Sequence, residues 1–170
     1  GTLTILAGTP TFPSGVLEVG NNFINTSGTF VANSGTLKLT SSLNSRTITL
    51  GGSSLANLTV QNAGVFTITD TNATTTGNVN FVAGTTTLPT LNFAVGGSFT
   101  NTGRFTAGTN LVTFTAASGA KTITPGASSF AYVNLNGAGT FTITANATTT
   151  NDFTLSSTIG GFTQTSGTTL

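Results

Sequence analysis

Apolar and polar residues alternate with a period of two along most of this chain. In residues 139–145 (GTFTITA), Phe141 and Ile143 are flanked by threonines. Alternate side chains of an extended strand point to opposite sides, so this pattern predicts a strand with one buried apolar face. The same alternation occurs at 2–6, 36–40, 46–50, 58–60, 112–115 and 132–136. Gly, Asn or Ser interrupts it every few residues, which predicts many short strands joined by tight turns.

The apolar pattern recurs at an interval of about 75 residues. RTITLGGSSLA at 46–56 corresponds to KTITPGASSFA at 121–131, and 14 of 35 positions are identical between 35–69 and 110–144. The interval is 76 toward the N-terminus, where VGNNF matches VGGSF, and 74 after Asp70, where ATTTGNVNF matches ATTTNDFTL. These small insertions and deletions fall in predicted turns, so the apolar register is kept. Repetition with such tolerance is typical of stacked repeat architectures.

We therefore predict an all-β fold, a parallel β-solenoid in which each unit of about 75 residues makes three to four coils. Residues 1–170 are expected to form a single continuous solenoid segment, with unit 1 at about 1–76, unit 2 at about 77–150 and a partial unit 3 at 151–170. The alternative is a pair of tandem β-sandwich domains. The solenoid is favoured because the strands are short and no Pro- or Ser-rich linker separates the units.

The amino-acid composition of the chain argues against several classes of function. Charged residues make up only 4% of the chain and the net charge is +1, which is no electrostatic footprint for nucleic acid. No apolar run approaches the roughly 20 residues that a membrane-spanning helix needs. Helix formers such as Glu, Lys and Gln are scarce, while Thr, Val, Ile and Phe favour strands. Low charge with abundant Thr, Asn and Gly suggests an extracellular location at the cell surface or in secreted material.

Titratable side chains are too few and too scattered to predict a catalytic site. The chain has three carboxylates, Glu18, Asp70 and Asp152, and no His or Cys. These carboxylates occupy different positions of the repeat, so we interpret them as isolated surface charges. Zinc prefers Cys and His ligands, and three dispersed carboxylates make a poor calcium site. No catalytic, cofactor-binding or metal-binding residue is predicted, no cofactor is expected, and the chain is not expected to be an enzyme.

Two surface features remain as candidate binding elements. Arg46 and Lys121 are equivalent repeat positions, so a solenoid is expected to place them on one face, where a cationic row could contact sulfated glycans or simply discourage aggregation of sheet edges. Threonine pairs resemble the outward rows of ice-binding solenoids, although their intervals of about 20, 55 and 18 residues look irregular. The pairs are Thr47/Thr49, Thr67/Thr69, Thr122/Thr124, Thr140/Thr142/Thr144 and Thr148/Thr150.

Longer phrases carry a resemblance that covers almost the whole chain. They are LEVGNNFINTSGTF (17–30), VGGSFTNTGRFTAGTNLVTFTA (95–116), KTITPGASSFAYVNLNGAGTFTITANATTT (121–150) and NDFTLSS (151–157). This sequence resembles the repeats of very large bacterial extracellular surface proteins, such as filamentous-haemagglutinin-like and autotransporter-like adhesins and giant secreted repeat proteins. The resemblance implies a parallel β-solenoid used as a stalk, fibre or adhesin shaft, and it brings no functional residues with it.

These observations lead to one functional expectation and one alternative. The first is a non-catalytic structural repeat of an extracellular filament, stalk or adhesin shaft, whose partners are neighbouring repeats or further copies of the chain, end to end or side by side. The alternative is a glycan-binding or ice-binding module that uses a Thr-rich face. Neither nucleic acid nor a membrane span is expected.

Overall fold

The chain folds as a parallel β-solenoid in the computed structural model, which describes residues 1–165, 167 and 169–170. The described residues contain nineteen strands of three to five residues and no helix. The strands form three sheets, which we call faces A, B and C. The eight strands of face C mark eight coils, and the chain passes A, then B, then C along each coil. Among the described residues, face B has no regular strand in coils 1–3, and face A has none in coils 7 and 8.

The strands of each face follow one another along the solenoid axis. Face A contains β1 (Leu3–Ile5), β3 (Phe23–Asn25), β5 (Arg46–Thr49), β7 (Val65–Ile68), β10 (Thr85–Thr87) and β13 (Arg104–Thr106). Face B contains β8 (Asn72–Thr75), β11 (Asn92–Val95), β14 (Leu111–Phe114), β16 (Tyr132–Leu135) and β18 (Phe153–Leu155). Face C contains β2 (Val16–Val19), β4 (Thr36–Leu39), β6 (Asn57–Val60), β9 (Val79–Phe81), β12 (Phe99–Asn101), β15 (Ala120–Thr124), β17 (Thr140–Ile143) and β19 (Gly161–Gln164).

Every pairing between these strands is parallel and joins one coil to the next. Leu58, for example, lies between Leu37 of the preceding coil and Val79 of the following one. A β-sandwich is built from antiparallel sheets, so the parallel pairing confirms the predicted solenoid and excludes tandem sandwich domains. Isolated bridges extend the faces where no regular strand forms, as between Leu55 and Thr75.

The core is a continuous column of apolar side chains inside the three faces. One ladder on face C consists of side chains that are at most 2% exposed, namely Leu37, Leu58, Val79, Phe99, Ile123 and Ile143. Their inward direction follows from the period-two alternation, since the residues between them face solvent. Each coil is too small to enclose a core of its own, so stability comes from stacking on its neighbours.

Corners between faces are fixed by buried asparagines and glycines. The Asn25 amide donates to the Leu50 carbonyl of the next coil at 2.8 Å, and the Asn101 amide donates to the Pro125 carbonyl at 2.7 Å. Gly51 and Gly126, the residues after those carbonyls, have φ of 59° and 65°. A side chain there would be strained, and its Cβ would also lie within 3 Å of the asparagine backbone oxygen.

The sequence unit and the coil have different lengths. The start of the unit occurs three times, as β1 on face A in the first coil, β9 on face C in the fourth and β18 on face B in the eighth. With three faces per coil, each step is three and two thirds coils. The predicted three to four coils per unit are therefore confirmed, and equivalent residues of successive units lie one third of a turn apart.

Candidate functional surfaces

The three carboxylates lie far apart in the fold, but two of them are not isolated charges. Glu18 lies opposite Lys38 on face C, and its carboxylate is 3.2 Å from the Lys38 ammonium. Asp70 lies at the corner after β7, where its two oxygens accept hydrogen bonds from the backbone N–H of Leu50 at 2.6 Å and Gly51 at 2.9 Å. The prediction of isolated surface charges is wrong for these two, because the stacked coils bring partners about 20 residues away into contact.

The three carboxylates do not form a cluster in the described part of the chain. Within residues 1–165, 167 and 169–170 there is no group of three His, Cys, Asp or Glu side chains that could hold a metal ion. An open groove of about 400 Å³ runs between faces C and A, and Arg104 is the charged residue that lines it. Its other lining residues are Val82, Ala83, Gly84, Thr85, Thr102 and Gly103.

Arg46 and Lys121 lie on different faces. Arg46 begins β5 on face A, and Lys121 lies in β15 on face C. The Arg46 guanidinium also donates to the Asn21 side chain and to the Asn44 carbonyl. The expectation of a shared cationic face was wrong because a unit spans a non-integral number of coils. These two cations therefore do not form a row along the rod.

Threonines form columns on two faces, each with one residue per coil. On face C, Thr122, Thr142 and Thr163 lie directly opposite one another, and Ser98 of the preceding coil accepts a hydrogen bond from the Thr122 N–H. A similar column on face A contains Thr47, Thr67, Thr87 and Thr106. The spacing of 19 to 21 residues within each column is one coil, so the threonines of one column are regularly placed. The interval of 55 residues between Thr67 and Thr122 looks irregular because these two residues lie on different faces.

Some of these threonine hydroxyls are bonded to each other. The Thr49 and Thr69 hydroxyl oxygens are 2.6 Å apart on face A, and those of Thr124 and Thr144 are 2.5 Å apart on face C. Strands of neighbouring coils are about 4.8 Å apart, so the hydroxyl oxygens in these pairs lean toward each other. A lattice of evenly spaced hydroxyls is therefore interrupted at both pairs.

Sequence reasoning missed the polar side chains that connect the coils at the corners. Asn57 and Asn78 each accept a hydrogen bond from the backbone N–H one coil further on, at Asn78 and Ser98, both at 2.9 Å. Asn25 and Asn101 are each 1% exposed and bond across coils. Their recurrence at an interval of 76 residues was visible, but in a chain so rich in asparagine only the structure separates these from surface residues.

The fold thus defines the class of architecture, a parallel β-solenoid with three faces. Comparison of the chain with known protein families, with curated proteins and with solved structures found no match. Over the described residues, no helix is long and apolar enough to cross a membrane.

Proposed function

We propose that the chain is a structural repeat module of an extracellular filament, stalk or adhesin shaft, which acts through its length and rigidity and not through catalysis. One observation carries the proposal. Backbone hydrogen bonds join each coil to the next along the whole of face C and along most of faces A and B, and the contacts within one sequence unit are repeated in the following unit. Because each coil packs on its neighbours in the same way, adding coils lengthens the protein without changing its local structure.

Rigidity follows from the way that the coils are joined. Peptide hydrogen bonds run parallel to the axis, and the apolar ladder of face C continues through neighbouring coils beneath them. Corner bonds such as Asn57 to Asn78 add a side-chain connection between coils. Bending the rod would have to open one edge of these ladders, so a stiff shaft is the expected mechanical behaviour.

The natural partner of such a module is a further repeat of the same kind. Its low charge gives little support to nucleic acid or an anionic surface as a partner. Strand edges at the ends of a coil stack are templates for pairing, which supports end-to-end association of repeats or of copies of the chain.

A seamless duplication tests the shaft hypothesis. Residues 73–146 can be inserted a second time between Asn146 and Ala147, because the junctions at Asn72–Ala73 and Asn146–Ala147 are the same dipeptide. Cryo-electron microscopy should show a single rod that is longer by roughly 18 Å, the height of three and two thirds coils at about 4.8 Å each. Proteinase K should leave the longer rod as intact as the original chain.

The control for that experiment is an insert of 74 residues with the same composition in scrambled order. It should be digested and should add no rod. Two separate particles joined by a tether, or an insert that is cleaved as fast as the scrambled one, would contradict a continuous shaft.

A second candidate is a binding module that uses a Thr-rich face, and the face C column of Thr122, Thr142 and Thr163 favours it. Binding of ice predicts thermal hysteresis, and binding of neutral glycans predicts signals on a glycan array. Thr142→Lys should remove either activity, while Thr113→Lys on face B serves as the matched control. The hydroxyl pair of Thr124 and Thr144 argues against a regular ice-like lattice.

A further inference from the structure

We infer that each unit is built to stack on another copy of the same unit after a rotation of one third of a turn, so that repeated surface features wind around the rod through faces A, C and B. This inference rests on the proposed shaft function and identifies the partner surface within it. The partner is a second copy of the repeat. The contact surface is the end of the coil stack, where the next unit can continue the strands in any of three orientations.

The three appearances of the unit start give the order of the faces. Leu3 lies in β1 on face A, Val79 in β9 on face C, and Phe153 in β18 on face B. The intervals between these residues are 76 and 74, and each step crosses three and two thirds coils. Three steps make eleven coils, after which the unit returns to the face on which it began.

Polar contacts are reproduced on the new face with nearly the same geometry. The Thr47 N–H donates to the Asn22 side chain at 3.0 Å on face A, and the Thr122 N–H donates to the Ser98 hydroxyl at 3.0 Å on face C. The Ser53 hydroxyl accepts from the Phe30 N–H at 3.3 Å, and its equivalent Ser128 accepts from the Phe105 N–H at 2.9 Å. These bonds form irrespective of the face that carries them.

Aromatic packing gives the same result in the core. The rings of Phe23 and Phe30 meet edge to face with centroids 5.6 Å apart and planes at 89°. Their equivalents Phe99 and Phe105 are 5.5 Å apart, also at 89°. The three sides of the coil are therefore interchangeable environments, and a unit need not match a whole number of coils to pack correctly.

The consequence for function is the distribution of surface chemistry. If a unit made a whole number of coils, each repeated side chain would lie in one line along the rod. The expected shared face of Arg46 and Lys121 required such a unit. A shift of one third of a turn instead presents the same patch on three sides. A shaft built this way can meet lateral neighbours, including other copies of itself, from three directions.

Gold labelling tests the rotation directly in the chain as it exists. The sequence has no cysteine, so Arg46→Cys and Lys121→Cys introduce two unique attachment points for a thiol-reactive gold cluster. Cryo-electron microscopy should place the two clusters on different sides of the rod, with an axial separation of roughly 18 Å expected for three and two thirds coils.

The matched control pair is Glu18→Cys and Thr100→Cys. These residues lie on face C four coils apart, connected through Lys38, Thr59 and Asn80 by direct opposition in register. Their clusters should fall in one line parallel to the axis, roughly 19 Å apart. The two pairs thus have nearly the same axial separation and differ in the angle between their clusters around the rod axis.

The duplicated chain extends the test to three labels, with a cysteine at Arg46, at Lys121 and at the inserted copy of Lys121. Three clusters one third of a turn apart support the inference. Clusters in one line, in either chain, overturn it even where the rod has lengthened. A duplicated chain that fails to lengthen contradicts the proposed shaft function instead, and the pair in the original chain still decides the rotation.

Discussion

Units 1 and 2 form equivalent contacts on different faces, and two of the places where they differ are corners. At the corner after β3 the sequence is NTSG, residues 25–28, and the Asn25 side-chain oxygen accepts a hydrogen bond from the Gly28 N–H at 2.9 Å. After β12 the corner is NTG, one residue shorter, and the Asn101 side-chain oxygen has no hydrogen-bond partner among the described residues. The Asn25 amide also donates to the Gly28 carbonyl, so a deletion at a corner costs two local bonds while the strands on both sides keep their register.

A second corner shows two differences that fit together. In unit 1 the Leu50 N–H needs an acceptor and receives one from Asp70. In unit 2 the position of Leu50 is Pro125, which has no N–H, and no carboxylate corresponds to Asp70. The unit thus tolerates loss of the acceptor where the donor is also lost. At this corner the donor and the acceptor are lost together, whereas in the described part of the chain the corner at Asn101 keeps an acceptor without a donor.

Removal of one buried phenylalanine ring from each unit tests whether the cores of the two units are equivalent. Phe23→Ala and Phe99→Ala each remove a fully buried ring, and each should lower the free energy of unfolding by about 3–5 kcal/mol. Phe99 should cost more because its ring contacts four others, those of Phe81, Phe105, Phe114 and Phe130. Urea unfolding followed by circular dichroism measures both. Replacement of either Phe by Leu should lower the free energy of unfolding by less than replacement by Ala. An unchanged urea-unfolding transition for the Ala variants would contradict the assignment of these rings to the core.

Replacement of each buried asparagine tests whether the two corners contribute differently to stability. Asn25→Ala removes the donor to the Leu50 carbonyl and the acceptor of the Gly28 N–H, so a loss of about 1–3 kcal/mol is expected. Asn101→Ala should cost less, since its side-chain oxygen has no partner to lose. The same unfolding measurement compares them, with exposed Thr26→Ala as the nearby control. Equal losses for the two asparagines would contradict the corner comparison.

A double-mutant cycle tests the matched corner of Leu50 and Asp70. Asp70→Ala should cost about 1–2 kcal/mol, because two backbone N–H groups lose a charged acceptor. In the Leu50→Pro background, which copies Pro125, the same change should cost less, because only the Gly51 N–H remains to be satisfied. Thermal unfolding of the four chains gives the coupling. Additive effects would show that the acceptor and donor do not depend on each other.

The smallest effect concerns the surface ion pair that unit 2 lacks. Glu18 and Lys38 are replaced in unit 2 by Ala94 and Thr113, which oppose each other in the same way on face B. The coupling energy between Glu18→Ala and Lys38→Ala should be below about 1 kcal/mol and should fall as salt is added. Denaturation at two salt concentrations measures it. A large coupling that is insensitive to salt would be inconsistent with an exposed pair.

Period-two alternation and the repeat were enough to predict the solenoid, its short strands and the number of coils per unit. Phe141 and Ile143, chosen from the alternation alone, are fully buried. The rotation between units was not predictable, because it depends on the number of residues per coil, and turn lengths at corners such as NTSG and NTG change that number. The partners of Glu18 and Asp70 were missed for the same reason, since they come from neighbouring coils.

The direction of the hydrogen bonds between coils also determines how the rod would respond to tension. A pull along the axis loads those bonds one coil at a time, so coils would detach in sequence from an end while the rest remain folded. Each detached coil of about 20 residues releases up to roughly 70 Å of extended chain, whereas the folded rod shortens by only about 5 Å. A stiff shaft of this kind would therefore also be highly extensible, dissipating work in small equal steps.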